Sequence, residues 1–236
     1  MVLAVNEQMP ILKGNRLSTG ILDLDVILEG GYYNPGNIII LGPSGMEKAA
    51  MGYHFASAAG PNETAFIVCG NSSPPDIMNK AATMGINLNK PNISFIDCYS
   101  STLGSGEVKP QERVKVVPGP GALNDISLAL NESIKESNGK KMRVVFDTLS
   151  TFVLYNPQDS IRKFLSVIEG RLKSVGATTL YLVDEGVHDK QLVSLLEHGM
   201  DEVYTILDKG GKYAVLVPEI NMEVPIRVGP AGIIIV

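Results

Sequence analysis

The chain has 236 residues, of which 44% are hydrophobic and 19% are charged, proportions typical of a globular protein with a sizeable core. Its formal net charge is −5 and it contains no block of Lys and Arg residues, which argues against nucleic acid as a partner. No run reaches the roughly 18 apolar residues of a membrane helix, and the N-terminus lacks the basic and apolar regions of a signal peptide. We therefore expect a cytoplasmic protein without a membrane partner.

Five short apolar runs rich in β-branched residues predict strands that are buried on both faces of a parallel sheet. In chain order they cover residues 37–42, 64–70, 93–98, 142–147 and 178–184. Helical segments with one apolar face lie between and after them and cover residues 74–85, 122–139, 159–176 and 190–200. Gly85, Gly139 and Gly176 are expected to end the first three, and Asp159 or Ser160 to cap the third. This alternation predicts a doubly wound α/β fold.

The C-terminal part of the chain has a different pattern. Residues 201–236 contain strand-like runs joined by the turn sequence DKGGK, which predicts an antiparallel β-hairpin extension. The last four residues, Ile233 to Val236, are apolar, and we expect them to be covered, either as the last strand of the sheet, which is favoured, or against another surface. Ser101 to Pro120 is rich in polar residues, glycine and proline, which predicts a long surface loop. We expect an N-terminal extension of residues 1–15 and a single domain of residues 16–236.

Neither the cysteines nor the histidines suggest a metal site. Cys69 and Cys98 each end an apolar run, so buried free thiols are favoured over a disulfide. His54, His188 and His198 are scattered without the spacing of metal ligands. No metal site is predicted.

The loop after the first predicted strand resembles a phosphate-binding loop. Its pattern is G-x-x-x-x-G-K-S/T, and the eight residues here are Gly42, Pro43, Ser44, Gly45, Met46, Glu47, Lys48 and Ala49. Gly42 and Lys48 match the pattern. Glu47 replaces the glycine before the lysine, and Ala49 replaces the hydroxyl residue after it. Ligands bind at the carboxyl ends of the strands in such sheets, so these eight residues form a candidate, vestigial nucleotide site.

Other stretches resemble the KaiC-like branch of the RecA ATPase superfamily. The stretch LSTGILDLDVILEGG resembles the segment before the phosphate loop of that family, and its matching residues are Thr19, Gly20, Ile21, Leu24, Asp25, Gly30 and Gly31. RVVFDTLSTFVLY resembles the family's magnesium-site strand, with Asp147 at the acidic position, and this resemblance adds Asp147 to the vestigial nucleotide site. The resemblance covers about residues 16–236. It implies a RecA-like P-loop fold, with a mostly parallel twisted sheet, flanking helices and C-terminal antiparallel strands.

Three departures from the family pattern affect the implied active site. In the loop, a carboxylate at Glu47 about 4 Å from a triphosphate would cost about 4 kcal/mol at an effective dielectric near 20, and Ala49 cannot coordinate magnesium. The Glu-Glu pair that activates water in the family corresponds to Asn71 and Ser72. The Lys-x-Arg that contacts a neighbouring subunit's phosphate corresponds to residues 217–219, Val-Pro-Glu.

Several charged residues in and near the implied site need an interpretation. Asp147 is either the magnesium-site acid or a strand-end hydrogen-bond acceptor, and Lys48 either binds phosphate or pairs with Glu47 or another carboxylate. Asp184 and Glu185 could hold a cation, although a solvated loop is favoured. Asp76 is interpreted as the cap of the following helix.

These departures favour a catalytically silent protein with no catalytic residues that acts as a regulatory or binding module, with signalling as the family analogy. Such a module requires no cofactor and binds ATP and magnesium weakly at most. Its partner would be a second copy of itself or a related KaiC-like ATPase. The alternatives are an ATPase with an altered site that uses Lys48 and Asp147, and a RecA-type DNA-binding recombination factor, which the acidic charge disfavours.

Overall fold

The computed structural model describes residues 15–104 and 112–236, in which strands and helices alternate. The strands are β1 Arg16–Leu17, β2 Tyr32–Tyr33, β3 Gly36–Gly42, β4 Glu63–Cys69, β5 Ile93–Asp97, β6 Val114–Val116, β7 Lys141–Asp147, β8 Thr178–Asp184, β9 Glu202–Asp208, β10 Tyr213–Val217, β11 Met222–Gly229 and β12 Gly232–Ile235. The helices are α1 Leu22–Ile27, α2 Met46–Ser57, α3 Pro74–Thr83, α4 Leu123–Ser137, α5 Leu149–Tyr155, α6 Gln158–Ser174 and α7 Lys190–Glu197. The five predicted strands and four predicted helices are confirmed, with ends within a few residues.

Ten of these strands form one sheet in the order β12-β11-β10-β9-β3-β8-β7-β4-β5-β6. The strands from β9 to β6 in this order pair in parallel, and β9, β10, β11 and β12 pair antiparallel. Strand β8 lies between β3 and β7, so the ends of these three strands lie side by side. The predicted RecA-like architecture, a mostly parallel sheet with C-terminal antiparallel strands, is confirmed.

The sheet is buried on both faces because helices cover each of them. Alternate residues of β3 enter different clusters: Ile38 and Ile40 pack with α2 and α3 residues, and Ile39 packs with residues of α4 to α7. All seven residues of β8 are buried. A strand between two apolar layers needs no polar face, which is why the central strands are continuous apolar runs.

The ends of the helices agree only in part with the predicted signals. Gly85, Gly139 and Gly176 follow their helices with φ of 70°, 76° and 80°, where the absence of a Cβ avoids strain. The predicted cap of α6 is wrong, because the helix begins one residue earlier, after Pro157, and no side chain caps it. The predicted cap of α3 is also wrong: Ser73 is the N-cap and its Oγ accepts from the backbone N–H of Asp76.

Two expectations about irregular segments need correction. The stretch from Ser101 to Pro120 contains part of a 3₁₀ turn, Ser100–Leu103, and the short strand β6, while residues 105–111 lie outside the described part. The C-terminal tail forms the edge strand β12, as favoured, and Ile233 is buried. Ile234 and Ile235, however, are half-buried and Val236 is 64% exposed, so the expected burial of the tail holds fully only for Ile233.

The remaining expectations about organisation stand as follows. Cys69 and Cys98 are buried free thiols, as predicted. Among the described residues, no helix is long and apolar enough to cross a membrane. The division into an extension of residues 1–15 and a single domain of residues 16–236 stays a prediction, since residues 1–14 are outside the described part.

Candidate nucleotide-binding site

The candidate loop connects the carboxyl end of β3 to the N-terminus of α2. Gly42 ends the strand where a Cβ would lie 2.8 Å from the side chain of Ile206, so only glycine fits without a shift. Gly45 precedes the first residue of α2, and no side chain caps this end of the helix. The backbone N–H groups at a helix N-terminus are anion-binding groups, which makes this turn suited to an oxyanion.

The buried side chain of Lys48 forms an ion pair with Asp184 at the end of β8. The same carboxylate accepts hydrogen bonds from Ser44 Oγ at 2.6 Å and from Thr148 Oγ1 at 3.1 Å. Lys48 Nζ also donates to the backbone oxygen of Gly42 at 3.4 Å. Of the two partners considered for Lys48, a neighbouring glutamate or another carboxylate, the second is the one found, and Asp184 is that carboxylate.

The sheet order brings Asp184 to the loop. In the parallel pairing of β3 and β8, Asp184 is in register with Gly42, so the last residues of both strands are adjacent. The backbone N–H of Asp184 donates to Ser150 Oγ at 2.8 Å, which fixes the end of β8. The preference for a solvated loop at this position is therefore wrong for Asp184. Glu185 is exposed, and its backbone N–H donates to the Gly42 oxygen at 2.8 Å.

The hydrogen bonds keep the Asp184 carboxylate ionised. Burial by itself would raise the pKa of Asp184, but the hydrogen bonds and charge of Lys48, together with Ser44 and Thr148, outweigh burial and lower this pKa below its usual value. The chemical result is a carboxylate anion that is bound by Lys48, the residue whose counterpart binds phosphate in P-loop proteins, and by two hydroxyl groups.

Asp147 ends β7, two strands from the loop, and is buried. Its carboxylate accepts a hydrogen bond of 2.8 Å from the Tyr53 hydroxyl on α2, and burial raises the pKa of Asp147 despite this bond. Its backbone oxygen accepts from the N–H of Gly70 at 2.8 Å. The strand-end acceptor interpretation thus describes its contacts, and a role in holding a metal stays a prediction.

The two substituted loop positions face different surroundings. Ala49 is buried in the core against the sheet. Glu47 is half-buried, and its carboxylate lies over Gly45, where a Cβ would come within 2.8 Å of Oε2. The charge of Glu47 also raises the pKa of Tyr213 on β10. Glu47 therefore places a negative charge beside the turn that precedes α2.

The structure also describes the positions that correspond to the family's water-activating pair and to its Lys-x-Arg. Asn71 is exposed, and Ser72 Oγ is 3.4 Å from its side-chain oxygen. Val217 is buried at the end of β10, and the Glu219 carboxylate accepts from Arg16 Nη2 at 3.4 Å. Within residues 15–104 and 112–236, no group of three or more His, Cys, Asp and Glu side chains could hold a metal ion.

The segment before β3 packs against the helix that follows the loop. Asp25 Oδ1 accepts from the backbone N–H of Thr19 at 2.7 Å and from its hydroxyl at 2.6 Å. Gly20 has a φ of 85°, and a Cβ there would overlap the backbone of His54 in α2. These residues therefore fix the position of α2, and through it the loop.

Sequence reasoning missed the contacts that define the site. The sequence predicts Ser44 only as a residue of the loop, and it predicts no role for Thr148 or Tyr53. One available signal was Asp184 itself, because an acidic residue at the end of a buried parallel strand lies at the ligand-binding edge of the sheet.

The fold and the loop define a class: a RecA-like ATPase fold in which a phosphate loop follows a central strand of a mostly parallel sheet. Within this class, the sequence model of the KaiC ATPase family matches residues 17–209, most of the chain, and the protein belongs to that family. Strands β10 to β12 lie beyond the matched residues.

Individual relatives are distant. The chain is 24% identical over 194 residues to a UPF0273 protein of Thermotoga maritima, which is 80% of this chain and 78% of the relative. It is 25% identical over 177 residues to a UPF0273 protein of Sulfurisphaera tokodaii, 72% of this chain and 60% of the relative. The circadian clock oscillator protein KaiC of Parasynechococcus marenigrum is 27% identical over 168 residues, 70% of this chain but 31% of that protein. The chain thus corresponds to about a third of the clock protein.

Proposed function

We propose that this protein is a catalytically silent member of the KaiC family that acts as a binding or regulatory module. The observation that carries the proposal is that the phosphate loop holds one of the protein's own carboxylates, since Lys48 and Ser44 both bind Asp184. A loop whose cation is neutralised internally has less charge with which to attract a triphosphate.

Two substitutions in the loop support the proposal that nucleotide binds only weakly. Glu47 adds a negative charge beside the anion-binding turn, and Ala49 supplies no hydroxyl for magnesium. We therefore propose that the protein requires no cofactor and that ATP and magnesium bind weakly at most.

The positions next to the loop support the absence of turnover. Asn71 and Ser72 stand where the family resemblance places the water-activating acids, and neither side chain can take up a proton near neutral pH. Glu219, which corresponds to the arginine of the family's Lys-x-Arg, binds Arg16 of the same chain and carries the wrong charge for a phosphate contact.

The proposed partner is a second copy of the chain or a related KaiC-family ATPase, in a cytoplasmic and signalling setting. Family membership supports this choice. The net charge of −5 argues against nucleic acid, because binding to phosphates is driven by Lys and Arg.

A second candidate function is an ATPase with an altered site. It is favoured by Lys48 and Asp147, two family positions that are retained and buried at the same edge of the sheet. Displacement of Asp184 from Lys48 would be required before a phosphate could bind there.

Phosphate release from magnesium-ATP by the purified full chain tests the proposal, with Lys48→Ala as the matched variant. We expect background rates from both proteins, with circular dichroism to check that the variant is folded. Release above background that Lys48→Ala abolishes would overturn catalytic silence and favour the altered ATPase, since a contaminating enzyme would not respond to that substitution.

A further inference from the structure

Three hydrogen-bond donors converge on the Asp184 carboxylate in the candidate site. Lys48 and Ser44 belong to the phosphate loop, and Thr148 follows Asp147 at the end of the neighbouring strand β7. A carboxylate and a phosphate group are both oxyanions that bind ammonium and hydroxyl donors. Lys48, the cation that a phosphate in the loop would need, is therefore already paired with a carboxylate, whereas no side chain caps the backbone N–H groups at the N-terminus of α2.

We propose that Asp184 is an internal oxyanion that competes with phosphate groups for the loop, so that a phosphate-containing ligand binds only by displacing it. This inference rests on the proposed function of the same site and identifies the residue that closes it. The ligand class it excludes is the phosphates: inorganic phosphate, diphosphate and nucleoside phosphates.

The arrangement is built into the fold. Register with Gly42 places Asp184 level with the start of the loop, and the bond from its N–H to Ser150 Oγ holds the backbone there. The Asp184 side chain is therefore already in place when no ligand is bound. It loses no conformational entropy in order to occupy the loop. An incoming phosphate would face this charge and that of Glu47, and it would have to compete for the single buried cation of the loop, Lys48.

The residues after Asp184 leave room for its side chain to move. Glu185, Gly186 and Val187 are exposed, and Gly186 has a φ of 76° with no atom within 4 Å of a Cβ built there. Movement of residues 185–187 would displace no buried side chain among them, but it would break the bond from the Glu185 N–H to the Gly42 oxygen. Displacement of the Asp184 side chain is opposed by its bonds to Lys48, Ser44 and Thr148, and the backbone on either side is held by the bonds of the Asp184 and Glu185 N–H groups to Ser150 Oγ and the Gly42 oxygen.

The test compares two substitutions that remove one negative charge from adjacent residues. Asp184→Asn removes the charge that binds Lys48 and keeps the size of the side chain, whereas Glu185→Gln removes an exposed charge that does not contact the loop. Isothermal titration of each full-length variant with magnesium diphosphate and magnesium-ATP gives the dissociation constants. We expect Asp184→Asn to bind at least about tenfold more tightly than the unaltered chain, and Glu185→Gln to differ by less than about twofold.

Further variants keep the outcome decisive. If Asp184→Asn does not fold, Asp184→Ser takes its place, because it keeps a hydroxyl for Ser44 in a smaller side chain. Adding Lys48→Met to the folded Asp184 variant should remove the gain in affinity. This loss would show that the added ligand binding takes place at the loop. A folded Asp184 variant that binds no more tightly than Glu185→Gln overturns the proposal, as does a gain that survives Lys48→Met.

The phosphate-release assay and the titrations together separate this inference from the proposed function. Tight binding of magnesium-ATP with turnover by the unaltered chain contradicts catalytic silence. The ratio of affinities between the Asp184 variant and the unaltered chain decides whether Asp184 competes with phosphate.

Discussion

Tyr53 and Asp147 form a 2.8 Å hydrogen bond between the helix that follows the phosphate loop and the end of β7, and both side chains are buried. Burial raises the pKa of Asp147, and the Tyr53 bond opposes this rise without cancelling it. A carboxylate with a raised pKa in the folded protein lowers stability whenever it is charged. The family's acidic position is therefore retained here at a cost in folding free energy.

Asp147→Asn should raise the free energy of unfolding at pH 7, because it removes a buried charge whose pKa is raised by burial. The folded-state pKa lies above the unfolded value of about 3.9, so the contribution of Asp147 to stability falls as the pH rises through the folded pKa. The gain from the variant should therefore shrink as the pH is lowered toward about 4. Urea denaturation at several pH values measures it, and a gain that does not change with pH would contradict the argument.

Tyr53→Phe is the matching substitution on the other side of the bond. It leaves the buried carboxylate without its hydroxyl donor, so the free energy of unfolding at pH 7 should fall by about 1–3 kcal/mol. In the Asp147→Asn background the same substitution should cost less, because the acceptor is no longer charged. An equal cost in both backgrounds would show that the hydroxyl acts independently of Asp147.

Glu47→Gly combined with Ala49→Thr should strengthen magnesium-dependent nucleotide binding without producing turnover. The first change removes a charge beside the loop and the second supplies a metal-coordinating hydroxyl, whereas Asn71 and Ser72 still provide no base. The control is Glu47→Gly with Ala49→Val, which has nearly the same shape as threonine but no hydroxyl. Titration with ATP, with and without magnesium, should show magnesium dependence in the threonine variant alone. Equal binding by both variants would contradict a metal-ligand role for position 49.

Gly232→Ala should destabilise the C-terminal edge strand by about 1–3 kcal/mol. Gly232 has a φ of 82°, and a Cβ there would overlap the imidazole of His54, whose Nε2 accepts from the N–H of Ile233 at 2.9 Å. Its partner across the turn, Gly229, has no atom within 4 Å of a Cβ and no positive φ, so Gly229→Ala is the control. Thermal unfolding of the two variants should give a lower midpoint temperature for Gly232→Ala alone. Equal midpoints would show that β12 accommodates a Cβ at position 232 without strain.

The oligomeric state should not depend on nucleotide. RecA-type assemblies place nucleotide between subunits, and the proposed weak binding here would leave that contact without a stabilising ligand. Light scattering of the full chain with and without magnesium-ATP should give the same mass. A monomer that assembles only when ATP is added would show that the site binds nucleotide strongly, against the proposed function.

Much of the fold follows from local sequence pattern. The strands β3, β4, β5, β7 and β8 are apolar runs because both of their faces are covered, and this burial is visible in the residues themselves. The missed elements are short: α1 has six residues, α5 seven and β6 three, too few for a clear period. The cap of α6 was missed because Asp159 and Ser160 are compatible with a cap as well as with the first turn.

The sequence by itself determined the loop, its two substituted positions and the family, because these are consecutive residues or ordered motifs along the chain. Only the tertiary structure decided what Lys48 binds. Asp184 is 136 residues away, and no local pattern connects the two. They meet because β8 pairs between β3 and β7, and the order of strands in a sheet depends on how all of them pack together rather than on any one of them.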